Sequence, residues 1–182
     1  MAAGSSTRVV ERQSPALLRI SLTLAKGLAG GYQPIGAVLC SERVYDAFVA
    51  GSGAFVNGHT YSAHAIACAA ALAVQRVIRE EGLLDRVRVR GQYLRDRLIG
   101  RLGQHRCIGD IRGRGLLMAL ELVAERDGKT PFDPALKMHS RLKTVAMELG
   151  LLVYHGGGTI DGRRGDHVLL APPYNVTEAE LA

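Results

Sequence analysis

The sequence is short of the features that mark several common classes of protein. Its three cysteines, Cys40, Cys68 and Cys107, are too widely spaced for a disulfide framework or a zinc site. They read as small apolar fillers that stay reduced, which fits a cytoplasmic protein. No metal site is expected. Aromatic residues make up only 5% of the chain and do not interleave with the basic runs, so no stacking platform for nucleic acid is visible. No apolar run approaches the length a bilayer span requires, so no membrane partner is expected. The opening residues, Met1 to Arg8, lack the hydrophobic core of a secretory signal. Internal repeats and low-complexity segments are also missing.

What is present suits a globular chain. At 182 residues, 47% hydrophobic and 22% charged, there is material for one substantial domain or two small ones. The net charge of +6 is scattered among acids, as in Arg79-Glu80-Glu81 and Asp85-Arg86. The alternation Arg86-Val87-Arg88-Val89-Arg90 reads as a solvated helix face and not as a nucleic-acid surface. A basic balance also suits an anionic cofactor and carboxylate substrates.

Periodicity divides the chain. Residues 1–19 are weakly patterned and irregular. Ile20–Ala25 and Ile35–Leu39 read as buried strands, and Ser41 as the N-cap of a helix over Glu42–Val49. Gly51–Gly58 reads as a loop. The alanine-rich stretch from Ser62 to Glu81 has apolar residues all round, which predicts a largely buried helix ended by Gly82. Leu83–Leu102 reads as an amphipathic helix. Beyond Cys107 the pattern becomes α+β: strands at Ile108–Ile111, Gly115–Val123, Leu151–Tyr154 and His167–Leu170, and a helix from Pro134 to Gly150. Thr177-Glu178-Ala179-Glu180 is a capping box that opens a last, short helix.

Four segments carry chemistry. In Thr23-Leu24-Ala25-Lys26-Gly27-Leu28-Ala29-Gly30-Gly31-Tyr32-Gln33-Pro34-Ile35-Gly36, one lysine sits where an apolar strand gives way to a glycine-rich loop. Desolvation between buried strands favours the neutral amine, the form that attacks carbonyls. The glycines follow the lysine instead of preceding it, so this is not a P-loop. The second segment, Asn57-Gly58-His59-Thr60-Tyr61-Ser62-Ala63-His64, heads the alanine-rich helix. Unpaired N–H groups at a helix start suit a phosphate, with Thr60 adding a hydroxyl; plain capping by Thr60 or Ser62 explains the same residues. The third, Asp110-Ile111-Arg112-Gly113-Arg114-Gly115, is either a tight strand turn or a loop-tying arginine. The fourth, Asp161-Gly162-Arg163-Arg164-Gly165-Asp166-His167, precedes Val168-Leu169-Leu170-Ala171-Pro172-Pro173.

Together these segments resemble the class III, fold-type I, pyridoxal-phosphate-dependent aminotransferases from about Leu22 onward. The resemblance implies an α/β fold: residues 20–82 as part of the cofactor-binding large domain, and 83–182 as the smaller α+β C-terminal domain with its final helix cut short. It implies a Schiff base between Lys26 and pyridoxal phosphate, with Thr60 holding the phosphate of the neighbouring subunit in a homodimer, and Gly58 and His59 close by. Ala63 stands where the family usually has glycine, and Ala65 where it often has proline. Leu169 stands where members that clamp α-carboxylates commonly carry arginine, which points to amine or ω-amino-acid donors and a keto acid such as pyruvate. Arg163 or Arg164 is then a candidate carboxylate reader, although a solvated loop accounts for them equally. Tyr32, Tyr61 and Tyr154 are candidates for lining the pocket.

The family's remaining cofactor contacts lie upstream of its lysine: an acid for the pyridinium nitrogen, a stacking aromatic residue and a phosphate-binding Gly-Ser/Thr loop. Residues 1–19 carry none of them recognisably. The chain therefore reads as a C-terminal portion of such an enzyme, and the alternative expectation is a catalytically incompetent fragment that acts as a partner-bound or structural module.

Overall fold

The computed structural model describes residues 21–182, so Ile20 and the segment 1–19 lie outside it. The chain divides into two compact units, one ending at Val77 and the other running from Ile78 to Ala182. The boundary falls inside a helix, Ala65–Glu80.

In the first unit, β1 (Ser21–Leu24) pairs antiparallel with β2 (Ala37–Cys40), with Ser21 opposite Cys40 and Leu24 opposite Ala37. The connection opens with a 3-10 turn at Lys26–Leu28 and continues through Gly30 and Gly31, at φ 57° and 83°. Both glycines therefore occupy the left-handed region that other residues enter at a cost. Ser41 heads α1 (Glu42–Ala50): its carbonyl accepts from the N–H groups of Val44 and Tyr45, at 3.0 and 3.1 Å, while its hydroxyl makes no capping bond. A loop follows, steadied by an edge-to-face contact of Phe48 and Phe55 with ring centroids 5.6 Å apart. It leads to α2 (Ala65–Glu80).

The expected burial of this unit is not found. Among its described residues only Ala29, Ala67 and Ala71 are buried. β1 and β2 form a two-stranded ribbon whose outer edges have no strand partner among the described residues, and Val38, Ile66, Leu72 and Val77 are exposed. The physical reason is geometric. A helix apolar on every side needs neighbours on every side, and within α2 only Ala67 and Ala71 are buried.

The second unit begins with α3 (Leu83–Leu102). Gly82, at φ 61°, donates to the Arg79 carbonyl and accepts from Asp85, so one residue ends α2 and starts α3. A four-stranded antiparallel sheet follows, in the order β3-β4-β6-β5, from β3 (Ile108–Arg114), β4 (Leu117–Leu122), β5 (Tyr154–Gly156) and β6 (Asp166–Leu170). Along β4 the side chains of Met118, Leu120 and Leu122 are buried in alternation with Leu117, Ala119 and Glu121, the two-residue period of a half-covered sheet. They meet Leu94 of α3, Val168 of β6 and Ala146 of α4 (Met138–Glu148) in one core. Burial of a side chain such as Met118 or Val168 stabilises by about 1.5–3 kcal/mol. α3 approaches the β3–β4 turn closely at Gly91, where any Cβ would overlap the Gly115 backbone.

Several boundaries differ from the sequence reading. The helix expected over Pro134–Gly150 is broken at Lys137, φ 46°, into a 3-10 turn at Pro134–Leu136 and α4. The strand expected at Leu151–Tyr154 begins only at Tyr154, because Leu151 and Leu152 are exposed and Val153 alone is buried. The glycine-flanked Arg112 segment is the β3–β4 hairpin itself. The capping box forms as read: in α5 (Glu178–Leu181) the Thr177 N–H donates to Glu180 Oε2 at 2.7 Å, and the Glu180 N–H donates to Thr177 Oγ1 at 3.3 Å. The N–H and hydroxyl of Thr177 hold the Glu180 carboxyl below its ordinary value.

Candidate functional site

Lys26 opens the turn between β1 and β2 with its own backbone in the left-handed region, at φ 51°. A non-glycine residue there costs on the order of 1–2 kcal/mol and persists only where its surroundings fix it. The fixing comes from α2. Ala29 is fully buried, Gly30 lies against Val74 (any Cβ added to it would sit 3.4 Å from a Val74 methyl), and Gln75 Nε2 donates to the Leu28 carbonyl at 3.1 Å. The turn is thus seated on the third helical turn of α2 and presents the lysine outward. This corrects the sequence expectation: Lys26 is exposed, not desolvated between buried strands, because those strands are themselves largely uncovered.

The Thr60 turn lies at the other end of the same helix. Thr60–Ala63 form a tight turn in which the Ser62 N–H donates to the His59 carbonyl at 2.9 Å and the His59 N–H to Ser62 Oγ at 3.1 Å. α2 is capped by neither Thr60 nor Ser62. His64 does it: its carbonyl accepts from Cys68 at 2.9 Å and its ring Nδ1 accepts from the Ala67 N–H at 3.3 Å. A histidine cap is an infrequent choice, so residue preference pointed to the hydroxyls instead. With the cap supplied elsewhere, the Thr60 hydroxyl and the N–H groups of Thr60 and Tyr61 have no hydrogen-bond partner among the described residues. Ala63 has φ 57°, which explains physically why glycine suits that position.

Gly58, His59, Thr60 and Tyr61 are all exposed, as is Tyr32, at 79%. Nine helical steps of α2, about 13.5 Å, lead from Ala65 to Val74. The Lys26 turn and the Thr60 turn are therefore placed at different levels of one helix.

Arg163 and Arg164 belong to the second unit, in the β5–β6 loop. Asp161 organises this loop: Oδ1 accepts the N–H groups of Arg163 at 3.0 Å and Arg164 at 2.7 Å, and Oδ2 accepts Arg164 Nε at 2.7 Å. The Arg164 N–H and guanidinium, with the Arg163 N–H, hold the Asp161 carboxyl down to about 2. Arg164 is thereby committed, whereas the guanidinium of Arg163 has no acidic partner among the described residues. Tyr154 stands at the start of β5 and is exposed. Arg112 donates to Glu121 at 2.8 Å and Asp110 at 3.0 Å, which raises its own value. Burial pushes Asp110 up, but the bond from Arg112 and the charge of Lys129 outweigh it and the net shift is down. Arg112 is thus a strand-to-strand tie.

Lys26 is an outward-facing amine on a glycine turn. Thr60 and its neighbours form an uncommitted cluster of hydroxyl and N–H donors at a helix start. An amine can meet a carbonyl, and hydroxyl and N–H donors at a helix start can meet an anion such as a phosphate. Comparison with known proteins names the class. Residues 21–182 match the family model Aminotransferase class-III, and the chain belongs to that family. It is 43% identical to an aminotransferase of Gibberella zeae over 160 residues, 87% of this chain and 31% of the relative. It is 39% identical to the adenosylmethionine-8-amino-7-oxononanoate aminotransferase of Nitratidesulfovibrio vulgaris, over 88% of this chain and 28% of that protein. Among solved structures it is similar to an amine transaminase from an uncultivated Pseudomonas species in its pyridoxal-phosphate-bound form. The TM-score there is 0.80 at 36% identity, covering 89% of this chain and 35% of that one. The fold is thus part of the fold-type I transferase fold. The chain spans about a third of the length of these relatives. No helix among the described residues is long and apolar enough to cross a membrane, and no metal-binding cluster is found among them.

Proposed function

We propose that this chain carries the lysine, phosphate-binding and substrate-reading parts of a cytoplasmic transaminase that moves an amino group from an amine or ω-amino acid to a keto acid such as pyruvate. The observation that carries the reading is Lys26, held at φ 51° on a turn seated against α2, with its amine facing outward. When bound, pyridoxal phosphate supplies an electron sink for the bond next to the substrate nitrogen. Lys26 Nζ would hold the cofactor, and its amine, when free, would take up and return the proton of the substrate carbon. The hydroxyl and N–H of Thr60, with the Tyr61 N–H, would donate to the phosphate, and Gly58 and His59 would shape the approach to it. Residues 20–82 belong in this reading to the large domain and 83–182 to the small one.

The helix length between the two turns supports a homodimer in which Thr60 serves the partner's cofactor. Of the two arginines, Arg163 is the one left to meet a substrate carboxylate, since Arg164 is tied to Asp161. Leu169 in the place of a carboxylate-clamping arginine favours amine and ω-amino-acid donors. Tyr32 and Tyr61 are proposed to line the substrate pocket. The bare apolar positions of α2 and β2 support a second reading, in which the chain is a catalytically incompetent, partner-bound module.

The visible absorption spectrum of the chain with added pyridoxal phosphate, beside Lys26→Ala, separates the two. The first reading expects a band that depends on Lys26 and shifts when an amine donor is added. A spectrum identical for both chains overturns it and leaves the partner-bound module.

A further inference from the structure

One imidazole is packed against both ends of the β5–β6 loop. The ring of His139, at the start of α4, meets the carboxylate of Asp166, and the His139 backbone N–H donates to the same Asp166 Oδ1 at 3.3 Å. Asp166 is the first residue of β6, directly after Gly165, where the loop ends. It is 5% exposed, a buried carboxylate whose oxygen is met by a ring nitrogen and a helix N–H together. The other face of the ring serves the loop's entry. His155 of β5 stacks on it with ring centroids 5.5 Å apart and planes 27° from parallel. Gly157 lies so close that any Cβ there would stand 2.7 Å from His139 Cε1.

Between these two anchorages the loop is internally braced. The N–H of Thr159 donates to Gly165 at 3.3 Å, that of Ile160 to Arg164 at 3.0 Å and that of Gly162 to Gly158 at 2.9 Å. The Asp161 contacts complete the brace. A loop rigid within itself moves as a body about its ends, so whatever holds both ends sets the direction in which the loop points.

We propose that His139 is a positioning residue: through Asp166 at the exit and His155 and Gly157 at the entry, it latches the loop 157–165 and fixes where the Arg163 guanidinium is presented. The link to a substrate carboxylate rests on the reading of Arg163 given above. The latch itself stands on the contacts of His139. Its chemistry also predicts which substitute will serve. Asparagine can place an amide N–H where Nδ1 stands and keep the bond to Asp166, while alanine removes both the bond and the stacking surface.

The test is amide hydrogen exchange on the full chain, read at Thr159, Ile160 and Gly162, with β3 and β4 as internal reference. In His139→Ala the loop amides are expected to exchange about tenfold faster, with the reference strands unchanged, and His139→Asn to restore most of the protection. The proposal is overturned if the loop amides of His139→Ala exchange as in the parent chain. It is equally overturned if β3 and β4 accelerate alongside them, or if His139→Asn protects no better than His139→Ala. Added pyruvate addresses the other reading separately: failure to slow loop exchange in the parent chain removes the carboxylate role of Arg163, while the comparison of variants still decides the latch.

Discussion

In the second unit Met118 and Val168, on neighbouring strands, are each 1% exposed; in the first, Ile66 and Leu72, on one helix, are 64% and 67% exposed. Both pairs are apolar and both lie in regular structure, so composition does not explain the difference. Layering does. β4 has α3 and α4 to cover its apolar face, and its alternation puts every second residue into that cover. α2 meets the Lys26 turn at Val74 and Gln75, and its sequence is apolar on all sides. The chemistry-bearing residues divide the same way. Lys26 and Thr60 lie in the sparsely packed unit, and the Asp161-braced arginines lie in the well-packed one.

Large-to-small substitutions make the sharpest test of that contrast. Met118→Ala is expected to cost the second unit about 2–5 kcal/mol in urea unfolding, and Leu72→Ala to change stability by less than about 0.5 kcal/mol. A large loss from Leu72→Ala would show that α2 is covered in solution, by a second copy or another chain, and would dissolve the comparison.

A smaller effect is expected at Ala63. Glycine there relieves a left-handed residue but frees the unfolded chain, so Ala63→Gly should gain only about 0.5 kcal/mol, read as a shift in the urea midpoint. A loss would mean the turn before α2 is not held at φ 57° in solution.

Asp161 gives the smallest signal and the cleanest sign. Its folded value, about 2, lies below the ordinary 3.8. The contribution of its contacts is therefore present in full above pH 3.8 and is lost as pH falls through about 2. The amide shifts of Arg163 and Arg164, followed by NMR from pH 5 downward, should hold steady until that lower range. Movement already near pH 4 would mean the brace is open.

Much of the second unit was legible because its periods are clean. Met118, Leu120 and Leu122 alternate as a strand should, and Thr177 with Glu180 spell a capping box that the structure forms. Lys137 was not legible. A lysine carries no sign that it will take φ 46° and break a helix, since tertiary packing decides it. At the candidate site the motifs named Lys26 and Thr60, but not their surroundings. The lysine was expected to be buried because its flanking strands are apolar, and apolarity states a need for cover without stating that cover is supplied. His64 as a cap and His139 as an anchor escaped notice because each depends on a partner, Ala67 or Asp166, whose placement only the fold reveals.

The ribbon of β1 and β2 bears on how the protein behaves in the tube. Among the described residues, both of its outer edges offer N–H and C=O groups with no strand partner, and Val38 and Leu39 stand exposed beside them. Such an edge is a template for any extended segment, including the same strand of another molecule. Turbidity should therefore rise with protein concentration well before any unfolding signal. A charge placed at Val38 should delay it, because a strand that repels its own image cannot extend the sheet.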